Sequence, residues 1–254
     1  MTENNPQVAI VTGAGKRIGR QIALSLAQAG WAVGVHYNIS AGDAETVVAE
    51  IKAAGGEAVA IAANLAEAGA VDAIVPRCRD ALGPPSLLVN NASLFVGDEV
   101  GTLGRELWHQ HMDINLQAPV FLAEALANQL PDGVAGNVIN IIDQRVWKLT
   151  PMFFSYTLSK SALWTATRTL AQALAPRVRV NAIGPGPAIQ SIHQTDEQFS
   201  EQCQSTPLHV GTSPHEIAAA VLFLLDAPAM TGQMIALDGG QHLAWQTPDV
   251  EYDA

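Results

Sequence analysis

Short apolar runs alternate with segments of helical spacing along almost the whole chain. The first run, residues 8–12, ends at Gly13 and predicts a buried strand, and the segment that follows it, residues 18–29, predicts a helix that ends at Gly30. The same pattern predicts further strands, which cover residues 31–36, 58–63, 87–90, 137–142, 178–183 and 234–237. Strands that are separated by helices of this length indicate βαβ units and a parallel sheet.

The helical segments complete this picture. After residues 18–29, the predicted helices cover residues 43–54, 70–82, 103–130, 153–174 and 214–225. Pro76 is expected to kink or divide one of them, because proline interrupts the hydrogen bonds of a helix. The strands are apolar throughout, as in a sheet that helices cover on both faces. The chain, residues 1–254, is therefore predicted to form a single doubly wound α/β domain with about seven parallel strands.

Two segments lie outside the periodic pattern. Residues 184–213 form the longest stretch without clear periodicity, and residues 244–254 form a C-terminal tail. A long loop in a compact domain is usually functional, and in an open α/β sheet it lies near the carboxyl ends of the strands, where ligands bind. We therefore expect residues 184–213 to be a substrate loop.

Composition excludes several classes of protein. The apolar fraction is 48%, which is enough for a packed core, and the formal net charge of −11 argues against nucleic-acid partners and against a polybasic membrane anchor. The longest uninterrupted apolar run, residues 217–225, is too short to cross a bilayer. With two cysteines and no signal-like segment near Met1, the sequence predicts a cytoplasmic protein.

The first predicted strand leads into a glycine-rich turn, residues 12–19, which reads TGAGKRIG. Gly13 permits a tight turn, whereas Gly15 and Gly19 permit close approach of a pyrophosphate and packing of the helix on the sheet. The helix that follows offers free N–H groups and the positive end of its dipole. This position between a first strand and a first helix predicts dinucleotide binding.

The end of the second predicted strand indicates which dinucleotide is bound. An acidic residue there favours NAD, but residues 36–40 read HYNIS and contain no carboxylate. His36 and Ser40 are expected to donate hydrogen bonds to a 2′-phosphate, and Lys16 and Arg17 are expected to add positive charge. The sequence therefore predicts NADP(H).

Tyr156 and Lys160 are four residues apart in the predicted helix 153–174 and so share one face of it. An ammonium group one turn from a phenol is expected to lower the phenol pKa from about 10, which makes the tyrosine a usable acid–base group. The pair is weak evidence by itself, but it is strong evidence in combination with the glycine turn that precedes it along the chain.

Together these motifs resemble the short-chain dehydrogenase/reductase family over residues 8–243. Residues 90–93 (NNAS), 181–186, 231–233 (TGQ) and 238–240 (DGG) are similar to its other signature segments, and Asn115 has the position of the Asn that holds a relay water. Three residues depart from the common pattern. Asp143 replaces the catalytic Ser that lies 13 residues before the Tyr, Arg17 replaces a fingerprint Gly, and Asn64 replaces an Asp.

These departures resemble one subfamily, the pteridine reductases and dihydromonapterin reductases. It shares TGxxKRxG, His36-Tyr37 with Ser40, NNAS followed by Phe95, and Asp143, although many members have Arg at the position of Ile39. The resemblance implies catalytic roles for Asp143, Tyr156, Lys160 and Asn115, and substrate contacts by Arg17, Ser93, Phe95, Asp143 and Tyr156. It implies that the following residues bind the cofactor: Gly13, Lys16, Arg17, Ile18, Gly19, His36, Tyr37, Asn38, Ser40, Asn64, Leu65, Asn91, Ala92, Ser93, Tyr156, Lys160, Pro185 and Gly186.

The implied reaction is reduction of a dihydropterin, or of dihydrofolate, by NADPH. Hydride is transferred to a C=N carbon, Tyr156 donates the proton with help from Asp143, and Phe95 stacks on the heterocycle. The alternatives are a ketone reductase of the same family and a non-catalytic NADP(H) sensor. Asp143 is alternatively a helix cap or a partner of Arg145, and Phe95 is alternatively an ordinary core residue.

The resemblance also implies a homotetramer that pairs the long helices. Small residues at Ala162, Ala166 and Ala171 would permit the close approach of two helices. No metal site is expected, since His109 and His111 are two residues apart on a helix and therefore face different directions.

Overall fold

A computed structural model describes residues 7–190 and 194–245. Its core is a seven-stranded parallel sheet with the order β3-β2-β1-β4-β5-β6-β7, so β1 and β4 are neighbours at its centre. The chain is a single α/β domain, as the alternation of strands and helices predicted. The strands are β1 (Val8–Val11), β2 (Ala32–Tyr37), β3 (Ala58–Ala62), β4 (Leu87–Asn90), β5 (Gly136–Ile141), β6 (Val178–Pro185) and β7 (Met234–Leu237).

Helices cover both faces of this sheet. They are α1 (Arg17–Gln28), α2 (Ala41–Ala53), α3 (Ala68–Asp72), α4 (Ile74–Leu82), α5 (Arg105–Met112), α6 (Ala118–Gln129), α7 (Phe154–Leu174), α8 (Asp196–Gln204) and α9 (Pro214–Leu225). Within β1, Ala9 and Val11 pack with α1, α2 and α9, whereas Val8 and Ile10 pack with α4 and α6 on the opposite face. Successive side chains of a strand point to opposite faces, so an apolar strand supplies both cores.

Two of the predicted helices are divided. The segment predicted at residues 70–82 is separated into α3 and α4 before Pro76, which lies in the first turn of α4, where its missing N–H is tolerated. The segment predicted at residues 103–130 contains a π-helical turn, Asp113–Gln117, between α5 and α6. Such turns insert one extra residue and often lie at functional sites.

The expectation that residues 184–213 are irregular is wrong in part. Strand β6 continues to Pro185, and α8 occupies Asp196–Gln204. The side chain of Thr195 accepts from the backbone N–H of Gln198, and the Gln198 side chain accepts from the backbone N–H of Thr195, so this capping box begins α8. Residues 191–193 and the tail after Trp245 lie outside the described residues.

Among the described residues, no helix combines the length and the apolar character that crossing a membrane requires. Within the same ranges, no three His, Cys, Asp or Glu side chains are grouped so that they could hold a metal ion. His109 is exposed and His111 is buried, which agrees with the prediction that they face different directions.

Candidate active site

The turn between β1 and α1 lies at the carboxyl edge of the sheet. Gly13 has φ +63°, and a Cβ atom on Gly19 would lie 2.3 Å from the carbonyl oxygen of Gly13, so both positions require glycine. In the described part of the chain, no side chain caps the N-terminus of α1, and its first turn holds no acidic residue. The turn therefore offers unpaired N–H groups and a positive dipole end to an anion.

The predicted cofactor residues line a groove beside this turn. A cavity of about 350 Å³ is lined by Gly13, Gly15–Gly19, Tyr37, Asn38, Ile39, Ser40, Asn91, Ala92 and Ser93. A neighbouring cavity of about 190 Å³ is lined by Gly13, His36, Asn38, Asn64, Leu65, Ala92, Ser93, Leu94 and Ile114. The two share Gly13, Asn38, Ala92 and Ser93, so they adjoin. An elongated groove that begins at an uncapped helix fits a dinucleotide.

The carboxyl end of β4 holds the glycine turn in place. Asn91 Nδ2 donates to the carbonyl oxygens of Thr12 (2.8 Å) and Gly13 (3.2 Å). In return, Thr12 Oγ1 accepts from the backbone N–H groups of Asn91 (2.9 Å) and Ala92 (3.0 Å). These bonds explain how the NNAS segment, which is distant in sequence, supports the predicted cofactor site.

The positive charge predicted at the glycine turn is partly paired with a carboxylate. No carboxylate follows β2, but Asp43 in the first turn of α2 reaches back to Lys16, with 2.8 Å between Lys16 Nζ and Asp43 Oδ2. Both side chains are exposed to solvent, and exposed ion pairs contribute little stability. Lys16 can therefore turn from Asp43 toward an anionic ligand at little cost.

Arg17 links the glycine turn to the predicted substrate loop. Its backbone has φ +53°, and its Nη2 donates to the carbonyl oxygens of Ile189 (3.2 Å) and Gln190 (3.0 Å). Arg17 also lines both cavities next to Tyr156. Its guanidinium group thus lies between the groove and the substrate pocket, as a residue that contacts both ligands would.

The prediction that His36 donates to a 2′-phosphate is wrong. The residue is buried, its Nδ1 accepts from the backbone N–H of Gly13 (3.0 Å), and its Nε2 lies 3.1 Å from the carbonyl oxygen of Ala63. Burial lowers the His36 pKa to about 4, so the ring is neutral at pH 7. His36 therefore stabilises the glycine turn, and both of its ring nitrogens are engaged by backbone groups of the protein.

Tyr156 and Asp143 meet at the centre of the site. Tyr156 is buried in the first turn of α7, and its hydroxyl donates to Asp143 Oδ2 at 3.0 Å. Asp143 follows β5, and its Oδ1 accepts from the backbone N–H of Arg145 (2.8 Å), which caps the 3₁₀ turn Gln144–Val146. Asp143 is therefore both a cap, as one alternative held, and a partner of the tyrosine.

Lys160 lies one turn beyond Tyr156 and is also buried. Its Nζ donates to the carbonyl oxygen of Ile141 (2.9 Å) and lies 5.9 Å from the centroid of the Tyr156 ring. Burial lowers the Lys160 pKa to about 8, and the charge of Asp143 opposes this shift. Lys160 therefore carries a positive charge at neutral pH.

The expected lowering of the Tyr156 pKa is not found. Burial first, and the charge of Asp143 second, raise the Tyr156 pKa well above its usual value, whereas Arg145 and Ser93 oppose the increase. Burial also raises the Asp143 pKa, although the Arg145 amide and guanidinium favour its charged form. Both groups therefore hold a proton more strongly than they would in water.

Asn115 lies in the π-helical turn and uses its whole side chain for protein contacts. Its Oδ1 accepts from the Leu94 N–H (2.8 Å) and Ser93 Oγ (3.2 Å), while its Nδ2 donates to the Leu94 carbonyl (3.0 Å) and Ser159 Oγ (3.1 Å). Because a carboxamide has two donors and two main acceptor sites, this group is saturated. Asn115 fixes residues 93–94, and its predicted contact with a relay water stays a prediction.

An aromatic wall borders the pocket. Phe95 is 38% exposed, so it is not a core residue, and its ring stacks on Phe153 with centroids 4.3 Å apart and planes 5° apart. Its edge meets Tyr156, with centroids 4.7 Å apart. The guanidinium carbon of Arg145 lies 5.2 Å from the centroid of the Phe153 ring. Arg145, Phe153 and Phe95 are thus linked by ring contacts that end at Tyr156.

Two cavities meet at Tyr156. One of about 260 Å³ is lined in part by Ser93, Lys160, Pro185 and Gly186, and one of about 200 Å³ extends toward α8. Sequence reasoning missed several residues of the second cavity: Gln144, Arg145, Pro187, Ala188, Ile189, Gln194, Phe199, Gln202 and Gln241. No motif marks them, although six of them lie within residues 184–213, the range that was expected to bind substrate.

Residues 13–242 match a protein-family model described as enoyl-(acyl carrier protein) reductase. The crystal structure of FolM alternative dihydrofolate reductase 1 from Brucella suis, in complex with NADP, is 50% identical; the match covers 99% of this chain and 100% of that one, with a TM-score of 0.94. The corresponding Brucella canis protein, also complexed with NADP, is 49% identical, with coverage of 97% and 98% and a TM-score of 0.94. A 3-oxoacyl-[acyl-carrier-protein] reductase from Synechocystis is 36% identical over 94% of this chain and 98% of its own length.

Proposed function

Because the chain belongs to the short-chain dehydrogenase/reductase family, we propose that it is a pterin reductase, which uses NADPH to reduce a dihydropterin or dihydrofolate to the tetrahydro form. That it is an NADP-dependent oxidoreductase follows from the family and from the NADP complexes of similar proteins. The observation that supports a pterin as the substrate is the contact between the Tyr156 hydroxyl and the Asp143 carboxyl group beside the Phe95 ring.

The chain's own residues fit an NADP(H) molecule in the groove. The uncapped first turn of α1 suits the pyrophosphate, and Lys16 with Ser40 suits the 2′-phosphate, since no carboxylate follows β2. Lys160, Asn91 and Pro185 line the cavity on the side of Tyr156, where the nicotinamide end would lie. The bound cofactor would supply the hydride, and the protein supplies orientation and the proton.

Asp143 suits a pterin better than a ketone. A ketone oxygen needs a neutral hydroxyl donor, which serine provides in the common family pattern. A pterin presents ring nitrogens and an amino group, and a carboxyl group can accept from the amino group or pass a proton toward a nitrogen. The flat face of Phe95 that is turned away from Phe153 offers a stacking surface for such a heterocycle.

The proton path runs through the Asp143–Tyr156 pair. The raised Tyr156 pKa means that a free tyrosinate is unfavourable in this site. Donation of the hydroxyl proton to a substrate nitrogen is therefore expected to be coupled to the return of a proton from Asp143, whose raised pKa keeps it protonated more readily than a surface carboxyl group. Lys160 and Arg145 limit the negative charge that develops on the phenol oxygen.

Carbonyl reduction is the second candidate, and the similarity to the Synechocystis 3-oxoacyl-[acyl-carrier-protein] reductase favours it. The two functions share the tyrosine, the lysine and the cofactor groove. They differ at Asp143, whose carboxyl group replaces the neutral serine hydroxyl that donates to a ketone oxygen in the common family pattern. The carboxyl group at this position therefore favours a pterin over a carbonyl substrate.

A substrate panel separates the candidates. The purified protein is mixed with NADPH and, in turn, with dihydrobiopterin, dihydromonapterin, dihydrofolate and a 3-oxoacyl thioester. The loss of NADPH absorbance measures oxidation of the cofactor. We expect turnover of at least one dihydropterin, and loss of that turnover in Tyr156→Phe with NADPH binding retained. Good turnover of the thioester and none of any pterin would refute the proposal. Binding of NADPH without any turnover would instead support a sensor.

We also propose that the protein assembles as a homotetramer, by resemblance to its family. In the structure Ala162 and Ala166 are half-buried on α7, where they can meet a second helix. Ala171 cannot contribute, because it is 4% exposed and packs inside the monomer core. The pairing face of α7 is therefore expected to centre on the middle of the helix.

A further inference from the structure

A buried hydrogen-bonded cluster lies next to Tyr156 and has no part in the proposed proton path. Its members are Asp98, His111 and Ser155, which are 8%, 0% and 0% exposed. Each comes from a different part of the fold: Asp98 from the segment after β4, His111 from α5 and Ser155 from the first turn of α7. Buried polar groups of this kind need a specific reason, because their desolvation is costly.

The hydrogen bonds of the cluster run in one direction. The backbone N–H of Val96 points at His111 Nε2 (3.4 Å), so this nitrogen is the acceptor and Nδ1 carries the hydrogen. His111 Nδ1 then donates to Ser155 Oγ (2.6 Å), and Ser155 Oγ donates to Asp98 Oδ2. The serine proton is directed at the carboxylate and not at the histidine, so this trio is not an activated nucleophile.

Asp98 also ties the loop to the helix through backbone groups. Its Oδ1 accepts from the Ser155 N–H (3.0 Å), and its carbonyl oxygen accepts from the Phe154 N–H (3.0 Å). These are two of the N–H groups that the first turn of a helix leaves unpaired, and a carboxylate at this end also suits the helix dipole. Within the described chain, the residue before α7, Phe153, provides no side-chain cap, so Asp98 takes the place of one.

Both ends of the cluster reach functional groups. Ser155 immediately precedes Tyr156, and Asp98 is three residues from Phe95 on a segment that His111 holds at Val96. A Cβ atom on Gly97 would lie 3.6 Å from the Phe153 ring, on which Phe95 stacks. The cluster is thus adjacent to the proton donor at Ser155 and close to the stacking ring at Asp98.

We propose that Asp98, His111 and Ser155 are positioning residues that fix the Tyr156 hydroxyl and the Phe95 ring relative to each other. This inference rests on the proposed function, in which Tyr156 donates the proton and Phe95 stacks on the substrate. Displacement of a reacting group by about 1 Å can lower a rate by about 100-fold, so small shifts at this junction have a large effect on turnover. The cofactor groove is held by other bonds, those of Thr12, His36 and Asn91.

The test compares Ser155→Ala with Thr167→Val. Thr167 is a matched control: it is a buried hydroxyl on the same helix, it accepts from Asn140 Nδ2 (2.9 Å), and it lies far from Tyr156. For Ser155→Ala we expect kcat to fall by about 10- to 100-fold and the dihydropterin KM to rise, with the NADPH Kd within about twofold of wild type. Thr167→Val is expected to lose thermal stability with kcat and KM close to wild type.

Three further variants keep the test valid if Ser155→Ala does not fold. His111→Asn retains a donor near the position of Nδ1, and His111→Leu does not, so the asparagine variant is expected to keep most of the turnover that the leucine variant loses. Ser155→Thr restores the hydroxyl and is expected to recover activity. Equal kcat and KM for Ser155→Ala and Thr167→Val, or for the two His111 variants, would overturn the proposal.

A readout without turnover separates this proposal from the proposed function. Amide hydrogen exchange of the NADPH complex reports the first turn of α7, and we expect faster exchange there in Ser155→Ala but not in Thr167→Val. If the wild-type protein reduces no pterin but this difference is seen, the pterin function fails and the positioning role of the cluster stands. If the exchange is unchanged, the positioning role fails whatever the substrate is.

Discussion

At the residue scale, Asp143 divides its two carboxyl oxygens between two tasks. Oδ1 caps a 3₁₀ turn and Oδ2 faces the Tyr156 hydroxyl. Asp143→Asn preserves the shape and one acceptor but holds no transferable proton, so we expect the kcat for a dihydropterin to fall by about 10²- to 10⁴-fold. The NADPH Kd is expected to change little. Steady-state kinetics and fluorescence titration measure the two quantities.

Asp143→Ser introduces the residue that the family usually has, and it tests whether the preference between pterin and carbonyl substrates is reversed. Pterin reduction is expected to fall as in Asp143→Asn, while any carbonyl reduction is expected to rise, because a neutral hydroxyl replaces a carboxyl group beside Tyr156. Unchanged pterin turnover in either variant would show that Asp143 does not supply the proton.

The direction of the Asp143 pKa shift also fixes the sign of a pH effect. Because burial raises this pKa, the proton is present at low pH and is lost as pH rises through the raised value, so reduction is expected to slow on the alkaline side. The same shift means that the folded protein holds this proton more tightly than the unfolded chain does. Its contribution to stability therefore declines as pH rises, and Asp143→Asn is expected to remove both dependences.

Lys16 controls the choice between NADPH and NADH in our interpretation. Lys16→Gln removes the cation at the groove but leaves the glycine turn intact, so the NADPH Kd is expected to rise by about 5- to 30-fold and the NADH Kd much less. Lys52→Gln, an equal change of charge on the exposed far end of α2, is the control and is expected to have no effect. A similar loss of affinity for both cofactors would contradict this role.

The spacing of residues along the chain predicted which residues form the site better than it predicted their chemical roles. Tyr156 and Lys160 are on one helix face because of the helical repeat, and Asp143 reaches them because β5 ends beside α7. By contrast, His36 was assigned to a phosphate from its type and position, but it is buried and bonded to Gly13 and Ala63, which follow β1 and β3. The raised pKa of Tyr156 likewise depends on burial, which local spacing does not reveal.

At the scale of elements, α8 shows which helices a periodicity argument misses. No residue of α8 is buried, so the helix has no apolar stripe to detect. Its one local signal was the pair Thr195 and Gln198, the spacing of a capping box. The π-helical turn at Asp113–Gln117 was missed for a related reason, since one extra residue in a helix leaves no clear mark on its apolar pattern.

The cap of α8 makes a prediction about substrate binding. Phe199 and Gln202 on α8 line the substrate cavity, and Thr195 begins this helix. Thr195→Ala removes about 1 kcal/mol of capping energy, so the pterin KM is expected to rise about two- to fivefold while the NADPH KM stays constant.

Ser213 provides the matched control, because it forms the same capping box with Glu216 at the start of α9. That helix packs on the sheet away from the pocket, with Ile217, Val221 and Leu224 in the core. Ser213→Ala is expected to lower the melting temperature with little effect on either KM. If the two variants have the same kinetic effect, α8 has no specific role in substrate binding.

At the scale of the whole molecule, the alternation of elements predicted a parallel sheet but not the order of its strands. Pairing of β1 with β4 is what brings Asn91 to the glycine turn, and pairing of β4 with β5 brings Asp143 near it. The net charge of −11 is likewise a poor guide to the site, because Lys16, Arg17, Arg145 and Lys160 all line its cavities. An acidic protein can bind an anionic cofactor because the local charge is positive.

The proposed tetramer leads to a prediction at this scale. Two helices pack with their axes about 8–10 Å apart, so a long charged side chain on the pairing face prevents close approach. Wild-type protein is expected to have a solution mass four times that of the 26.8 kDa chain, and Ala166→Arg is expected to form dimers or monomers. Light scattering coupled to size-exclusion chromatography measures both masses.

Ala53→Arg is the control, since it places the same side chain at the exposed end of α2, on the far side of the sheet from α7. It is expected to remain a tetramer. Because α7 carries Tyr156 and Lys160, Ala166→Arg tests whether assembly supports catalysis: a loss of kcat that parallels the loss of tetramer would mean that pairing of the helices holds the first turn of α7 in place. A monomeric wild-type protein with full activity would refute the tetramer and show that the hydrogen bonds within one chain are sufficient to hold the site.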